Sequence, residues 1–237
     1  MILAALAAIL FDTFYVKHVI TTHNNVNHKE GIIGIDISHH QGKIDWAKVG
    51  SKTNDTIAFI YIKATEGSTY QDAKYLEYFE GAKTTSIPVG SYHYFRTSSP
   101  IAEQFKNFIS VVDSGTQDLI PMVDIEECTQ WKGDKFTTNL TLFLKLIENH
   151  FGRKPVLYTV NSFYNAHLKF KYKDYMFCIG RYGPNEPVMF DGNSWTLWQY
   201  SDKGIVNGIE KPVDMDLLNI NAKMLNLKFK TSKTSIL

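Results

Sequence analysis

Apolar and polar positions along this chain repeat with two different periods. Eight runs rich in β-branched and aromatic residues read as strands, at residues 32–38, 56–65, 87–95, 119–126, 155–160, 175–182, 194–201 and 213–218. Between several of them the period becomes helical. Tyr75, Tyr78, Phe79 and Ala82 stand at i, i+3, i+4 and i+7, which predicts one apolar helix face. Ser99 and Pro100 read as an N-cap and first helical residue, followed by Ala102, Phe105, Phe108, Ile109 and Val112 on a second face. Phe136, Leu140, Phe143, Leu144, Ile147 and Phe151 form a third, which should stop at Gly152. Strand-helix-strand repetition predicts a parallel sheet, and eight strands favour closing it. The connections at 183–192 and 202–211 are short and contain Gly and Pro, so some outer helices should be missing. The expected fold is therefore α/β, a single-domain, incomplete or flattened (β/α)8-like (TIM-type) barrel.

The amino terminus departs from this pattern. Residues 2–11 are an unbroken apolar run, too short for a full membrane span and suited to the apolar region of a signal peptide. No basic residue precedes the run and no small-residue cleavage site is obvious, so a signal anchor is an equal reading. An amphipathic helix on the domain is the structural alternative; either of the first two readings implies export. The expected organisation is a signal peptide or signal anchor at 1–18, a polar linker at 19–30, the barrel at 31–221 and a basic tail or terminal strand at 222–237. Lys223, Lys228, Lys230 and Lys233 supply that last charge.

Length and composition narrow the function. A chain of 237 residues suits one large domain, and 44% hydrophobic with 14% aromatic residues excludes a disordered polypeptide. A net charge of +1 creates no field that would gather nucleic acid, so no nucleic-acid partner is expected. Cys128 and Cys178 are the two cysteines, too few for a disulfide scaffold and not spaced as zinc ligands. His39 beside His40, and His23 with His28, are weak metal candidates, and no metal or other cofactor is expected.

Chemistry enters with Met122-Val123-Asp124-Ile125-Glu126-Glu127. Strand side chains alternate faces, so Asp124 and Glu126 point the same way. Two carboxyls this close, beside apolar neighbours, raise at least one pKa, which suits the acid and carboxylate pair of glycosidic cleavage. The bland reading is a strand end whose acids are solvated or ion-paired. In a barrel of parallel strands the active site lies at the carboxyl ends. Those ends here carry Asp36, Glu66, His93 with Arg96, Asp124 with Glu126, Tyr158, Arg181 and Gln199, while Asp214 begins the eighth run. Each has an ordinary structural reading taken alone, and His93 in particular reads equally as a satisfied core histidine; the set carries the inference.

The residues also resemble a known family. Gly34-Ile35-Asp36-Ile37-Ser38-His39-His40-Gln41-Gly42 with Ile44-Asp45-Trp46 is similar to the opening motif of glycoside hydrolase family 25, the Chalaropsis-type lysozymes. Tyr61 to Gly67, Gly90 to Phe95, Pro121 to Glu126, Trp198-Gln199-Tyr200 and Val213-Asp214 resemble its later strand motifs, in order. The resemblance implies a muramidase that cuts the β-1,4 bond between N-acetylmuramic acid and N-acetylglucosamine on a flattened barrel. It implies Glu126 as general acid and then base, with Asp124 orienting the substrate's acetamido group as internal nucleophile. Asp36 and Asp214 would complete the acidic pocket, and Tyr92, Tyr94, Tyr158, Trp198, Gln199 and Glu66 would bind substrate. The expected partner is the glycan strand of peptidoglycan, met outside the cytoplasm by a secreted or membrane-anchored monomer. A non-catalytic glycan-binding protein of the cell envelope is the alternative class.

Overall fold

The structure is a computed structural model that describes residues 31–51 and 57–229. The apolar run at the amino terminus, the linker and the last lysines lie outside the described residues. Among the described residues no helix is long and apolar enough to cross a membrane.

Among the described residues nine strands form one sheet: β1 (Ile33–Ile37), β2 (Ile57–Glu66), β3 (Tyr70–Gln71), β4 (Val89–Tyr94), β5 (Met122–Asp124), β6 (Val156–Val160), β7 (Phe177–Gly180), β8 (Leu197–Gly204) and β9 (Val213–Leu218). All but β3 correspond to the runs read from the sequence. β1 pairs with both β2 and β9, which closes the other eight into a barrel. β3 hangs outside on the end of β2 as a short antiparallel hairpin.

One strand direction differs from the expectation. β9 runs antiparallel to both β8 and β1, so the barrel is not parallel throughout. A two-residue alternation reads the same in either direction, whereas the short connection at 205–212 leaves no length for a crossover and forces a hairpin return. The reversal has a consequence for the site. It brings the start of β9, with Asp214, to the mouth formed by the carboxyl ends of the other strands.

Helices cover part of the outside. α1 (Trp46–Val49) is a single turn capped by Asp45, and α2 (Tyr75–Lys83), α3 (Ile101–Val111) and α4 (Gly133–Phe151) are the substantial ones. The apolar faces predicted for these last three are buried against the sheet at Tyr78, Ala82, Phe108, Leu140, Phe143, Leu144 and Ile147, whereas Ala102, read as part of the second face, is exposed. α4 ends as expected, with Gly152 in the left-handed region at φ 68°. The start of α3 differs from the reading by one residue: Pro100 is the N-cap, and the Ser99 hydroxyl accepts the Ser68 N–H instead. Among the described residues after β6, only short pieces remain, at Asn161–Phe163, the π-helical Tyr164–Leu168 and Met224–Leu227, so the later half lacks long outer helices.

A second, smaller core fills the barrel. Phe59, Tyr61, Met122, Tyr158, Cys178 and Leu197 meet inside it, separate from the helix-facing layer. Rings of that size require glycine opposite: a Cβ on Gly34 would lie 2.2 Å from the Phe59 ring. The amino-terminal end of the barrel is closed by the chain beyond β9. Leu227, in the short helix Met224–Leu227, is fully buried, and its carbonyl accepts the Ile120 N–H at 2.8 Å. The packed unit thus continues as far as Phe229, whose N–H reaches the Asp118 carbonyl.

Candidate active site

At the opposite end the strand termini surround a small cavity of about 150 Å³, lined by Asp36, Tyr92, Met122, Asp124, Glu126, Tyr158, Tyr182, Gln199 and Asp214. Four carboxyl groups from three separate parts of the chain therefore converge. Register accounts for it. Asp36 and Asp214 are direct partners across the β1 and β9 pair, an arrangement that like charges make unfavourable unless protons or ligands compensate. Asp124 lies between Tyr94 of β4 and Tyr158 of β6. Glu126 falls just beyond the end of β5, yet strand-like pairing continues through the Phe95 N–H to Asp124 carbonyl and Ile125 N–H to Tyr158 carbonyl bonds. Both acids consequently keep the same side.

Burial and mutual repulsion favour protonated carboxyls here. Asp36 is pushed well above the ordinary carboxylate range by burial, then by Asp216 and Asp214. Burial first and Glu126 second push Asp124 upward, and its buried Oδ1 has no hydrogen-bond partner among the described residues. Asp214 is raised to about 6 by burial, Asp202 and Glu126. Asp216 is raised to about 7 by burial and by Asp214. Asp36, Asp214 and Asp216 therefore hold protons more readily than free carboxyls do.

Polar neighbours fix the walls. The Tyr94 hydroxyl donates to Glu126 Oε2 at 3.3 Å. Tyr158 and Tyr182 donate to Gln199 Oε1 at 2.8 and 3.1 Å, and Gln199 Nε2 donates to Asp36 Oδ2 at 2.7 Å. One amide thereby couples two phenols to a carboxyl group. Glu127 faces away from Glu126 and ties the loop that carries it. Its carboxylate accepts from the Thr97 N–H and hydroxyl at 2.6 and 2.7 Å and from the Thr129 N–H at 2.9 Å. Those bonds outweigh burial and hold Glu127 at about 2, so it stays ionised.

Tyr94, Glu66, Trp198, His93, Arg96 and Arg181, all singled out from the sequence, lie outside this cavity. Glu66 is held by Lys63 Nζ at 2.7 Å and Arg96 Nη2 at 2.6 Å, and those two cations sit over the Tyr94 ring. Trp198 is fully buried, and its indole N–H donates to the Arg181 carbonyl at 2.7 Å, so it supports the strand end rather than facing the cavity. His93 is the satisfied core histidine: Thr65 Oγ1 and Gln104 Oε1 meet its two nitrogens, and burial lowers it to about 4. Cys128 and Cys178 are not bridged; Cys178 is buried and donates to Asp216 Oδ1. Among the described residues no group of three His, Cys, Asp or Glu is placed to hold a metal ion.

Tyr182, Asp216 and Glu127 were not singled out from the sequence. Two of them carried the same signal as the recognised acids. Asp216 stands two residues from Asp214, and Tyr182 two from Gly180 at the end of β7, so alternation puts each on an inner face. Glu127 had no such signal, since its role depends on a contact with Thr97 across the loops.

Comparison with known proteins settles the family. The model of glycosyl hydrolases family 25 matches residues 35–209, well over half of the chain. The chain belongs to this family. Escherichia coli K12 YegX is 32% identical over 190 residues, covering 79% of this chain and 70% of that protein. The autolytic lysozyme of Clostridium acetobutylicum is 33% identical over 183 residues, 77% of this chain and 54% of that protein. A family 25 glycosyl hydrolase from Bacillus anthracis superimposes with a TM-score of 0.75 at 30% identity, over 86% of this chain and 95% of that one. As a family 25 member, the protein is a glycoside hydrolase built on a closed eight-stranded barrel.

Proposed function

We propose that this protein is a muramidase that hydrolyses the β-1,4 bond between N-acetylmuramic acid and N-acetylglucosamine in peptidoglycan. The observation that carries the reading is the meeting of Asp36, Asp124, Glu126 and Asp214 in one cavity at the barrel mouth. Glu126 is the general acid. It follows β5 at the lip, with the Tyr94 hydroxyl on one carboxyl oxygen, and it gives its proton to the departing oxygen of the glucosamine unit. The muramic acetamido oxygen closes onto C1 as that bond breaks, and Asp124, deeper in the cavity, accepts the acetamido N–H. Glu126 then takes a proton from the water that reopens the ring at C1, which restores both groups.

The remaining residues shape the pocket. Asp36 and Asp214 raise the proton affinity of the cavity and accept sugar hydroxyls, and the chain from Tyr158 and Tyr182 through Gln199 fixes Asp36. Tyr92 and Tyr158 present ring surface to the sugar. Tyr94, with Lys63, Arg96 and Glu66 packed around it, positions Glu126 from outside the cavity. The substrate is a wall polymer, so the protein acts outside the cytoplasm, and the apolar run at residues 2–11 supplies the export signal or anchor.

The test is the identity of the new chain ends. Purified peptidoglycan is digested with the protein, products are reduced with borohydride, and the reduced sugars are identified by mass spectrometry. Muramitol ends support the reading; glucosaminitol ends, or no new ends, overturn it.

A further inference from the structure

A second concavity adjoins the acidic cavity, and the chemistry above leaves it unused. This open groove, of about 810 Å³, lies against the carboxyl ends of β6 and β7, where Val160, Asn161, Gly180, Arg181, Val188 and Phe190 line it. The two concavities share one strand end. Tyr182 turns into the acidic cavity while its neighbour Arg181 lines the groove. Both concavities therefore open at the same end of the barrel, on either side of the chain that leaves β7.

The groove has a fixed wall. Asn161 exchanges two hydrogen bonds with the Val188 backbone, at 2.9 and 3.2 Å. Asn165 donates to the Val188 carbonyl at 2.8 Å and accepts from the Phe190 N–H at 2.9 Å. Both amides are thus spent on holding the loop, which leaves the Val188 and Phe190 side chains 51% and 71% exposed toward solvent. Exposed apolar surface on a pinned loop marks a contact face more than a loosely folded one.

Its charge is also unmatched. The Arg181 guanidinium donates to the Glu186 carbonyl at 2.6 Å, and among the described residues no carboxylate pairs with it. The cations on the other side of the mouth differ: Lys63 and Arg96 are both engaged by Glu66. A groove that combines small apolar contacts with an unpaired guanidinium fits a short peptide bearing methyl side chains and carboxylates.

We propose that this groove binds the stem peptide carried on the lactyl ether of muramic acid, with Arg181 pairing a peptide carboxylate. Val160, Val188 and Phe190 receive the alanyl methyl groups. The inference rests on the muramidase reading and deepens it, since it makes the peptide-bearing strand the preferred substrate.

The test compares two substrates for the full chain: peptidoglycan strands with their stem peptides, and the same strands stripped by an amidase. Initial rates of reducing-end release give kcat/KM on each. The expected selectivity for the peptide-bearing strand is about tenfold or more, the scale of one charge-assisted hydrogen bond with its apolar contacts. Arg181→Ala should bring the ratio close to one, and Arg181→Lys should restore part of it. Phe190→Ser, a substitution at an exposed position, should lower the ratio with an unchanged melting temperature. Equal kcat/KM on both strands for the unmodified protein would overturn the subsite alone, as would an Arg181→Ala ratio equal to the unmodified one. Absence of release from either strand would instead remove the muramidase reading and this inference with it.

Discussion

Among the described residues one carboxyl oxygen of Asp216 has no hydrogen-bond partner and the other accepts from the Cys178 thiol, and Asp216 is raised to about 7. An aspartate whose folded pKa is raised binds more protons folded than unfolded, so its contribution to stability is present at low pH and lost as pH rises through the folded value. Asp214 behaves alike up to about 6. His93, lowered to about 4, acts with the opposite sign: its contribution is present above the unfolded histidine value of about 6.5 and lost as pH falls toward 4. Above pH 6.5 the histidine contributes no slope and the carboxyls dominate. The melting temperature should therefore fall between about pH 6.5 and 8.5, and Asp216→Asn should shallow that fall when both proteins are followed by circular dichroism. A second residue-scale prediction concerns Glu127, whose bonds to Thr97 and Thr129 fasten the loop carrying Glu126. Glu127→Ala should lower stability by about 1–3 kcal/mol in urea unfolding and reduce kcat more than it changes KM. Sequence reasoning found the acids because a carboxyl among apolar residues is conspicuous. It passed over Glu127 because nothing local distinguishes a clamped surface acid from a solvated one.

The elements carry the site through close backbone packing. At the end of β7, a Cβ on Gly180 would stand 2.6 Å from the Tyr158 hydroxyl and 3.5 Å from Gln199 Oε1. Gly180→Ala should thus push Tyr158 away from Gln199 and loosen the hold on Asp36. We expect kcat/KM to fall about tenfold, with a stability loss of about 1–3 kcal/mol from overpacking. Unchanged catalysis in a folded Gly180→Ala protein would mean that the coupling through Gln199 is dispensable. Elements were largely legible in the sequence, since the strand alternation and the three helix faces of α2, α3 and α4 are written in apolar spacing. The direction of β9 was not, because alternation has no polarity, and the cap of α3 shifted because Ser99 was drawn to Ser68 across the loops. Trp198 illustrates the same limit. The family resemblance placed it with Gln199 among the substrate-binding residues, whereas only the fold reveals that its indole points at the Arg181 carbonyl.

At the scale of the molecule, a net charge of +1 conceals an uneven distribution. Carboxyls gather at one end of the barrel, where Asp36, Asp124, Glu126 and Asp214 share a cavity, while Arg153 and Lys154 sit near the other, Arg153 donating to the Lys228 and Asn226 carbonyls. The closed sheet makes this possible by bringing β1 against β9, so that residues 36 and 214 become neighbours. Convergence at the strand ends was readable from the order of polar residues, once a barrel had been inferred. A barrel that assembled these groups only for glycan binding would lose little when one proton is removed. The decisive measurement is accordingly the rate of reducing-end release from peptidoglycan by Glu126→Gln beside the unmodified protein, with melting temperatures taken on the same samples. Our account predicts a loss of about a hundredfold to ten-thousandfold with the fold preserved; a folded Glu126→Gln protein that retains the unmodified rate would contradict it.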